Sequence, residues 1–260
     1  MMNHAPLAGG GLEREAAQLA GATLMPGDGG YRNRPGHLLE HLTEMEKAQV
    51  ITAGTKIVLY RGTPLFSHGT PQDGIYLVET GRIKVSYVGP TRRTVTLAYW
   101  HPGTFVGAPD VFASGLHTWS GIAAINSSVL HLSGDTLRAL VLRMPSLALG
   151  IIEGLSFKGR CYSALAQMLA TRSAAERLAH LLLQLADLYG MPREQGIWID
   201  ASFTHADLSH MIGVTRQWIT ATLRHYRERG IVDMKGRRLA LRDLSFLQRL
   251  RDGEIDGTAD

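Results

Sequence analysis

The chain of 260 residues contains a single cysteine, Cys161, and no long apolar run. One cysteine excludes an internal disulfide framework and an iron–sulfur cluster held by four thiolates, and it is typical of a reducing compartment. A membrane-spanning helix needs about 20 consecutive apolar residues, and no segment approaches this length. The first charged residues, Glu13, Arg14 and Glu15, are not followed by the apolar core of a signal peptide. We therefore expect a cytoplasmic protein that makes no membrane contact.

Catalytic and metal-binding patterns are also missing. Neither G-x-G-x-x-G nor G-x-x-x-x-G-K-S/T occurs, so a dinucleotide-binding fold and a P-loop are not supported. No Ser/His/Asp set, carboxylate pair or metal-ligand spacing stands out, and Asp207 with His210 is interpreted as part of a solvated helix surface. We expect neither enzyme activity nor a metal site. The formal net charge of +4 is small, so any binding of nucleic acid would depend on a localised basic patch.

The chain divides into segments of different character. Residues 1–35 are rich in glycine and are expected to form a flexible extension, and residues 252–260 an acidic tail. Residues 36–144 contain short β-type runs separated by glycines, a pattern typical of an antiparallel sandwich or barrel. The candidate strands are Ile57–Tyr60, Gly74–Val78, Arg82–Val88, Thr94–Tyr99, Ser120–Ala124 and Val129–Leu132.

Two long helices are predicted after Pro145. The first covers residues 145–171. Its apolar side is formed by Leu147, Ile151, Leu155, Tyr162, Leu165 and Leu169. Ser173 and Glu176 form a capping box that opens the second helix, which ends near Tyr189. We predict that the first helix is a dimerisation element, with packing on its own β domain as the alternative.

Residues 172–251 contain the pattern of two further helices joined by a tight turn. Thr204 and Asp207 form a capping box at the start of the first of these helices. Gly213 falls where that helix must end and the chain must turn, which favours a residue free to adopt positive φ. Thr215 can cap the second helix, whose apolar positions face the first. The pattern predicts a helix-turn-helix, with an ordinary helical hairpin as the alternative.

The second of these helices and the residues after it offer groups that bind DNA. Arg216 can pair with guanine and Gln217 with adenine, and hydroxyl groups can bind phosphate. Two short strands, Ile231–Met234 and Arg238–Leu241, follow as a two-stranded wing with a basic tip that suits a phosphate backbone. The predicted DNA-contacting residues are Thr204, Thr215, Arg216, Gln217, Thr220, Arg224, Lys235, Arg237 and Arg238.

Over residues 38–250 the chain resembles the cyclic-AMP receptor protein/FNR (Crp/Fnr) family of bacterial transcription regulators, on segments that include Ile75–Val78 and Thr215–Thr220. The resemblance implies an α+β fold with an N-terminal antiparallel β-roll of the cyclic-nucleotide-binding type, a long dimerisation helix and a C-terminal winged helix-turn-helix. It also implies a homodimer that binds double-stranded DNA at a near-palindromic operator and contacts RNA polymerase. Arg216 matches the family's guanine-reading arginine, whereas Gln217 replaces its usual glutamate.

The sensor part departs from the cyclic-AMP-binding members of this family. Those members hold the ribose with a glycine–glutamate pair and the cyclic phosphate with an arginine–serine pair. At the matching positions this chain has Gly107 with Ala108, and Thr118 with Trp119, so we do not expect tight cyclic-AMP binding. With the matching positions of the long helix, the candidate effector pocket comprises Gly107, Ala108, Thr118, Trp119, Tyr162 and Ser163. Together with Trp100 it suits an uncharged organic ligand, and plain core packing of the aromatic residues is the alternative.

Two alternative functions remain open. The carbon-monoxide-sensing branch of the family shares an arginine–glutamine pair with Arg216 and Gln217 and binds haem. Its histidine ligand is replaced here within the run Val106–Ala108, but His101 and His117 lie nearby in the sequence, so a haem-based gas sensor is one alternative. A ligand-binding β-roll that acts through a protein partner is the other.

Overall fold

A computed structural model describes residues 37–107, 109–112, 114–194, 196–200, 203–235 and 238–256. The predicted extension at residues 1–35 lies outside the described residues, as do residues 257–260 of the predicted tail, Ala108 and Arg237. In the described ranges no helix is long and apolar enough to cross a membrane. The chain forms a β-rich part, a long helix and a C-terminal part that mixes helices and strands.

The β-rich part begins with helix α1 (Glu44–Ala53) and ends with helix α2 (Gly134–Arg143). Between them run the strands β1 (Thr55–Leu59), β2 (Pro64–Phe66), β3 (Pro71–Asp73), β4 (Ile75–Thr80), β5 (Ile83–Val88), β6 (Thr94–Trp100), β7 (Phe105–Gly107), β8 (Ser114–Leu116), β9 (Ser120–Ala123) and β10 (Ser127–Leu132). They pair antiparallel in two four-stranded sheets, β1-β10-β4-β7 and β2-β9-β5-β6, and in a two-stranded β3–β8 sheet. The architecture is the predicted antiparallel β-roll.

All the candidate strands of this part are confirmed, with no end displaced by more than two residues. The sequence did not predict β2, β3, β7 and β8, because three residues are too few to show an alternating pattern. Helix α1 was also missed, although Thr43 and Glu46 carry its start signal. The Thr43 hydroxyl accepts from the Glu46 amide at 3.3 Å, and the Glu46 carboxylate accepts from the Thr43 amide at 2.8 Å.

Helix α3 (Pro145–Thr171) has the predicted bounds, and its two faces differ. Of the predicted apolar side, Leu147, Ile151 and Leu165 are buried, Leu155 and Tyr162 are half-buried, and Leu169 is exposed. A second stripe at spacings of three and four residues is exposed instead; its members are Leu149, Ile152, Ser156, Gly159, Ser163, Ala166 and Ala170. Packing within the chain therefore accounts for most of the predicted side, and a different face remains exposed.

The C-terminal part comprises helix α4 (Ala174–Tyr189), strands β11 (Gly190–Arg193) and β12 (Gly196–Ile199), helices α5 (His205–Ile212) and α6 (Arg216–Glu228), strands β13 (Val232–Lys235) and β14 (Arg238–Leu241), and helix α7 (Leu244–Arg251). The strands form one antiparallel sheet in the order β11-β12-β14-β13. The two predicted strands of the wing are present as β13 and β14, and the β11–β12 hairpin, which was not predicted, extends their sheet. Helix α7 was not predicted.

The C-terminal part packs directly on the β-roll. Tyr99 of β6 is only 6% exposed and belongs to the apolar core of the C-terminal part, together with Leu178, Met211 and Ile212. The β5–β6 hairpin therefore forms part of the surface on which helix α5 rests. The interpretation of His210 as solvated was wrong: it is partly buried here, and burial and the nearby Lys84 lower its pKa.

Candidate DNA interface and sensor pocket

The turn between α5 and α6 has the predicted geometry. The Thr204 hydroxyl accepts from the Asp207 amide at 3.1 Å, and the Asp207 carboxylate accepts from the Thr204 amide at 3.0 Å. Gly213 ends α5 in the left-handed conformation, with φ 66° and ψ 44°. The Thr215 hydroxyl then caps α6 by accepting from the Trp218 amide at 3.1 Å. These caps set both the ends of the helices and the angle of the chain between them.

Helix α6 buries one face and presents the other. Its inner face, formed by Ile219, Thr222, Leu223 and Tyr226, packs on the core of the C-terminal part. Arg216 and Gln217, in its first turn, are exposed, and so is Arg224 two turns later. The charged and amide groups of this helix are thus available to a partner outside the molecule.

Thr220 is placed differently from the simple outward-facing residue that the sequence predicted. It is partly buried, and its hydroxyl donates to the carbonyl of Arg216 at 2.9 Å. Since that hydrogen is used, Nδ1 of His205 must donate to the Thr220 oxygen, which lies 2.8 Å away. The pair joins the first turn of α5 to α6, and His205 had no signal in the sequence.

The wing presents its basic residues at the end of β13 and the start of β14. Lys235 and Arg238 are paired across the two strands, and both side chains are exposed. At the base of the wing the Arg242 guanidinium donates to the Asp233 carboxylate at 2.9 Å. This bond and the Met234 amide lower the pKa of Asp233. The Asp233–Arg242 pair links neighbouring parts of the hairpin.

Arg177 connects the segment after α3 to the helix-turn-helix. Its side chain is 8% exposed, its Nε donates to the Ile212 carbonyl at 2.9 Å, and its Nη1 donates to the Arg172 carbonyl at 2.8 Å. Arg172 in turn donates to the carbonyl of Arg251 at 2.7 Å. Two side chains therefore fasten the end of the long helix to the part that carries α5 and α6.

The predicted effector pocket is only partly assembled. The Trp119 indole donates to the Gly107 carbonyl at 3.1 Å, and its ring centroid lies 5.7 Å from that of Tyr162. The Tyr162 centroid lies 6.5 Å from that of Trp100, and burial raises the pKa of Tyr162. These residues form an aromatic cluster between the β-roll and α3.

Thr118 and Ser163 do not belong to the aromatic cluster. Both are exposed, and Ser163 lies on the exposed stripe of α3. The matching of Ser163 to a pocket position predicts contact across a dimer, which a single chain does not test. Ala108 lies outside the described residues.

Lys158 is a member of the cluster that the sequence did not reveal. Its Nζ lies 3.8 Å from the ring centroid of Phe105 and 5.1 Å from that of Trp100. It stands one turn before Tyr162 on α3, a spacing that places both side chains on the same flank of the helix. The spacing from Tyr162 could have pointed to Lys158, but it does not identify Phe105 or Trp100 as its neighbours.

The two histidines considered as haem ligands occupy different environments. His117 is 2% exposed and stacks on Phe66, with ring centroids 4.3 Å apart. Burial lowers its pKa. His101 lies just after β6, and its carbonyl accepts from the Thr104 hydroxyl at 2.6 Å. Cys161 is buried in the core between α3 and the sheets, as expected of a packing residue.

Comparison with known proteins identifies both halves of this arrangement. The family model of the cyclic nucleotide-binding domain matches residues 56–144, and that of the Crp-like helix-turn-helix domain matches residues 176–250. The chain belongs to the Crp/Fnr family. It is therefore a transcription regulator with a sensor domain and a DNA-binding helix-turn-helix domain, and not an enzyme.

Curated relatives of this Crp/Fnr regulator are about 25% identical to it over the aligned residues. The CRP-like cAMP-activated global transcriptional regulator of Mycobacterium tuberculosis is 24% identical over 73% of this chain and 84% of its own length. The global nitrogen regulator of Synechococcus elongatus is 25% identical over 70% of this chain and 82% of its own.

Solved structures show the same fold. The c-di-GMP responsive global regulator CLP of Xanthomonas campestris has a TM-score of 0.69 at 18% identity, and the match covers 77% of this chain and all of CLP (100%). A mutant of CooA from Carboxydothermus hydrogenoformans has a TM-score of 0.63 at 20% identity, and covers 85% of this chain and 97% of CooA. Regulators of this family bind DNA and act as dimers.

Proposed function

We propose that this Crp/Fnr regulator reads a near-palindromic operator as a homodimer, with one α6 helix in the major groove of each half-site. The observation that carries the proposal is the capped helix-turn-helix whose α6 exposes Arg216 and Gln217 in its first turn. Arginine and glutamine side chains at the N-terminal end of such a helix reach base edges. Lys235 and Arg238 of the wing, and with them Arg237, supply contacts to phosphate.

The exposed stripe of α3 supports a homodimer. Leu149 and Ile152 are 55% and 58% exposed, and small residues continue the stripe from Ser156 to Ala170. Alternating spacings of three and four residues form the seam of a two-stranded coiled coil, and small residues permit close approach of two helices. Because each half-site needs one α6, a dimer also places two reading helices at the distance of one DNA turn, about 34 Å.

We further propose that the β-roll responds to a small molecule other than cyclic AMP. Trp119 and Ala108 stand where cyclic-AMP-binding members carry a serine and a glutamate, and the Trp119 indole is hydrogen-bonded to Gly107 in the loop itself. Residues 36–144 act as the sensor, 145–171 as the dimerisation helix and 172–251 as the DNA-binding domain. The protein works in the cytoplasm and regulates transcription by contact with RNA polymerase.

The test combines oligomeric mass with DNA binding. Sedimentation of the purified chain is expected to give a dimer, and fluorescence anisotropy should show tighter binding to a selected operator than to random DNA. The logarithm of the affinity should fall linearly with the logarithm of salt concentration, because phosphate contacts release counterions. A monomer, or equal affinity for operator and random DNA, would contradict the proposal.

A haem-based gas sensor remains the second candidate, since His117 and His101 lie in the part of the β-roll that contains the pocket loop. The absorption spectrum of protein purified without added ligand separates the two candidates, because haem gives an intense Soret band. A colourless dimer that binds DNA supports an organic effector.

A further inference from the structure

Lys158, which is half-buried, places an amine against the aromatic cluster of the sensor domain. Its Nζ lies over the Phe105 ring at 3.8 Å and near the Trp100 ring at 5.1 Å, measured to the ring centroids. Ring faces attract a cation, but they do not replace a charged hydrogen-bond acceptor. The amine is thus held in position by groups that leave its hydrogen-bonding capacity unused.

Within the described part of the chain no carboxylate pairs with this amine. The ion pairs recorded within the described ranges do not include Lys158. In the loop, Ala108 replaces the glutamate of the cyclic-AMP-binding members. Desolvation by the surrounding side chains lowers the pKa of Lys158 to about 7. A ligand anion at Nζ would favour the charged form of the amine.

The surroundings of Lys158 define the rest of the ligand. Trp100 contacts both Lys158 and Tyr162, and Tyr162 contacts Trp119, so aromatic rings continue from the amine to the loop at Gly107. Such a lining favours an apolar or aromatic body, because little polar surface is available to a ribose or a second charge. A single cation matches a single negative charge.

We propose that Lys158 binds the charged end of the effector, and that the effector is a small organic carboxylic acid with an aromatic or apolar body, bound as its anion. The proposal rests on the sensor role assigned above to the β-roll, and it replaces the uncharged ligand that the sequence suggested. The cation was not foreseen from the sequence, because this chain has Thr118 and Trp119 at the positions where cyclic-AMP-binding members hold the phosphate.

Fluorine NMR of a matched pair of probes tests the proposal on the full chain. The probes are para-fluorophenylacetate and para-fluorophenylacetamide, which differ in charge and hardly in shape. In the unaltered protein we expect the acid to bind at least about tenfold more tightly than the amide, as expected for a charge-assisted bond. Lys158→Met should remove this preference, and Lys158→Arg should retain it. Lys56→Met, which alters a lysine paired with Glu79 at 3.0 Å, is the matched control and should bind like the unaltered protein.

Three results would overturn the proposal: no binding of the acid, equal binding of acid and amide, or unchanged binding of the acid by Lys158→Met. A misfolded variant is recognised by loss of the near-ultraviolet circular dichroism of the tryptophans, and the acid–amide comparison in the unaltered protein does not depend on any variant. The NMR samples contain no DNA, so operator binding is measured separately. Absence of the acid preference in the unaltered protein, with intact operator binding, refutes the effector class alone. Failure of the unaltered protein to bind DNA refutes the regulator proposal.

Discussion

Replacing Arg177 by methionine tests how firmly the helix-turn-helix is fastened to the end of the long helix. The guanidinium donates to the carbonyls of Ile212 and Arg172 at 2.9 and 2.8 Å, and it is nearly inaccessible to water. Methionine fills the space of the aliphatic stem but leaves both carbonyls without their donor. Burial, and then the nearby Arg93, lower the pKa of Arg177, yet an arginine remains charged at neutral pH.

The magnitude follows from the two bonds and the charge. Each hydrogen bond to a charged group contributes about 1.5–3 kcal/mol. Methionine also avoids the cost of burying the guanidinium, which offsets part of the loss. We therefore expect the free energy of unfolding of the C-terminal part to fall by about 2–3 kcal/mol. With a urea dependence of about 1–3 kcal/mol per molar, the midpoint should move down by roughly 1 M.

Urea unfolding followed by tryptophan fluorescence measures this shift, because Trp198 and Trp218 lie in the C-terminal part. Arg143→Met is the matched control: Arg143 is exposed, donates only to the Ala139 carbonyl of its own helix, and should change stability by less than about 0.5 kcal/mol. If Arg177→Met costs no more than Arg143→Met, the fastening role of Arg177 is refuted. Arg177→Lys, which keeps the charge but not both bonds, should lie between them.

Five further substitutions at four positions test the DNA contacts, helix α6 and the turn before it. Arg216→Ala should weaken binding to operator DNA by about 1–3 kcal/mol and binding to random DNA only slightly, whereas Lys235→Ala should weaken both alike. If anisotropy titrations show equal losses on the two DNAs for Arg216→Ala, Arg216 does not read a base. Tyr226→Phe should leave stability unchanged or raise it by about 1 kcal/mol, because the buried Tyr226 hydroxyl has no hydrogen-bond partner among the described residues. A clear fall in the thermal unfolding temperature would show that the hydroxyl does have a partner. Gly213→Ala should lower the free energy of unfolding by about 1 kcal/mol, because φ is 66°, whereas an added Cβ would come no closer than 3.4 Å to Leu169. Gly213→Asn should lose less stability, because asparagine tolerates this φ. Equal losses for the two variants would assign the effect to packing.

Features that depend on neighbours in the sequence were predictable. Thr204, Thr215 and Ser173 cap the helices that they were predicted to cap, because a hydroxyl reaches an amide only two or three residues away. Gly213 ends α5 in the left-handed conformation for the same local reason. The six longer strands of the β-roll were also found, since their alternation or apolar runs extend over at least four residues.

Contacts between distant segments were not predictable in this way. The contact between Thr220 and His205 had no signal in the sequence around either residue. The pairing of β12 with β14, which joins the β11–β12 hairpin to the wing, had none either. Lys158 is separated by more than fifty residues from Trp100 and Phe105 in the sequence, and it meets them only because α3 lies across the β-roll.

Helix α3 shows where the limit lies. Its sequence determines a helix with apolar residues on more than one side, since helical spacing and side-chain type are local properties. Which stripe is buried depends on the surface that the β-roll offers, and the structure places Leu147 and Ile151 there while it leaves Leu149 and Ile152 exposed. The sequence by itself thus determined the two long helices, the helix-turn-helix with its caps, and the family of this protein. The tertiary structure decided which face is free for a partner and which amine meets the sensor's aromatic rings, because both depend on the packing of segments far apart in the chain.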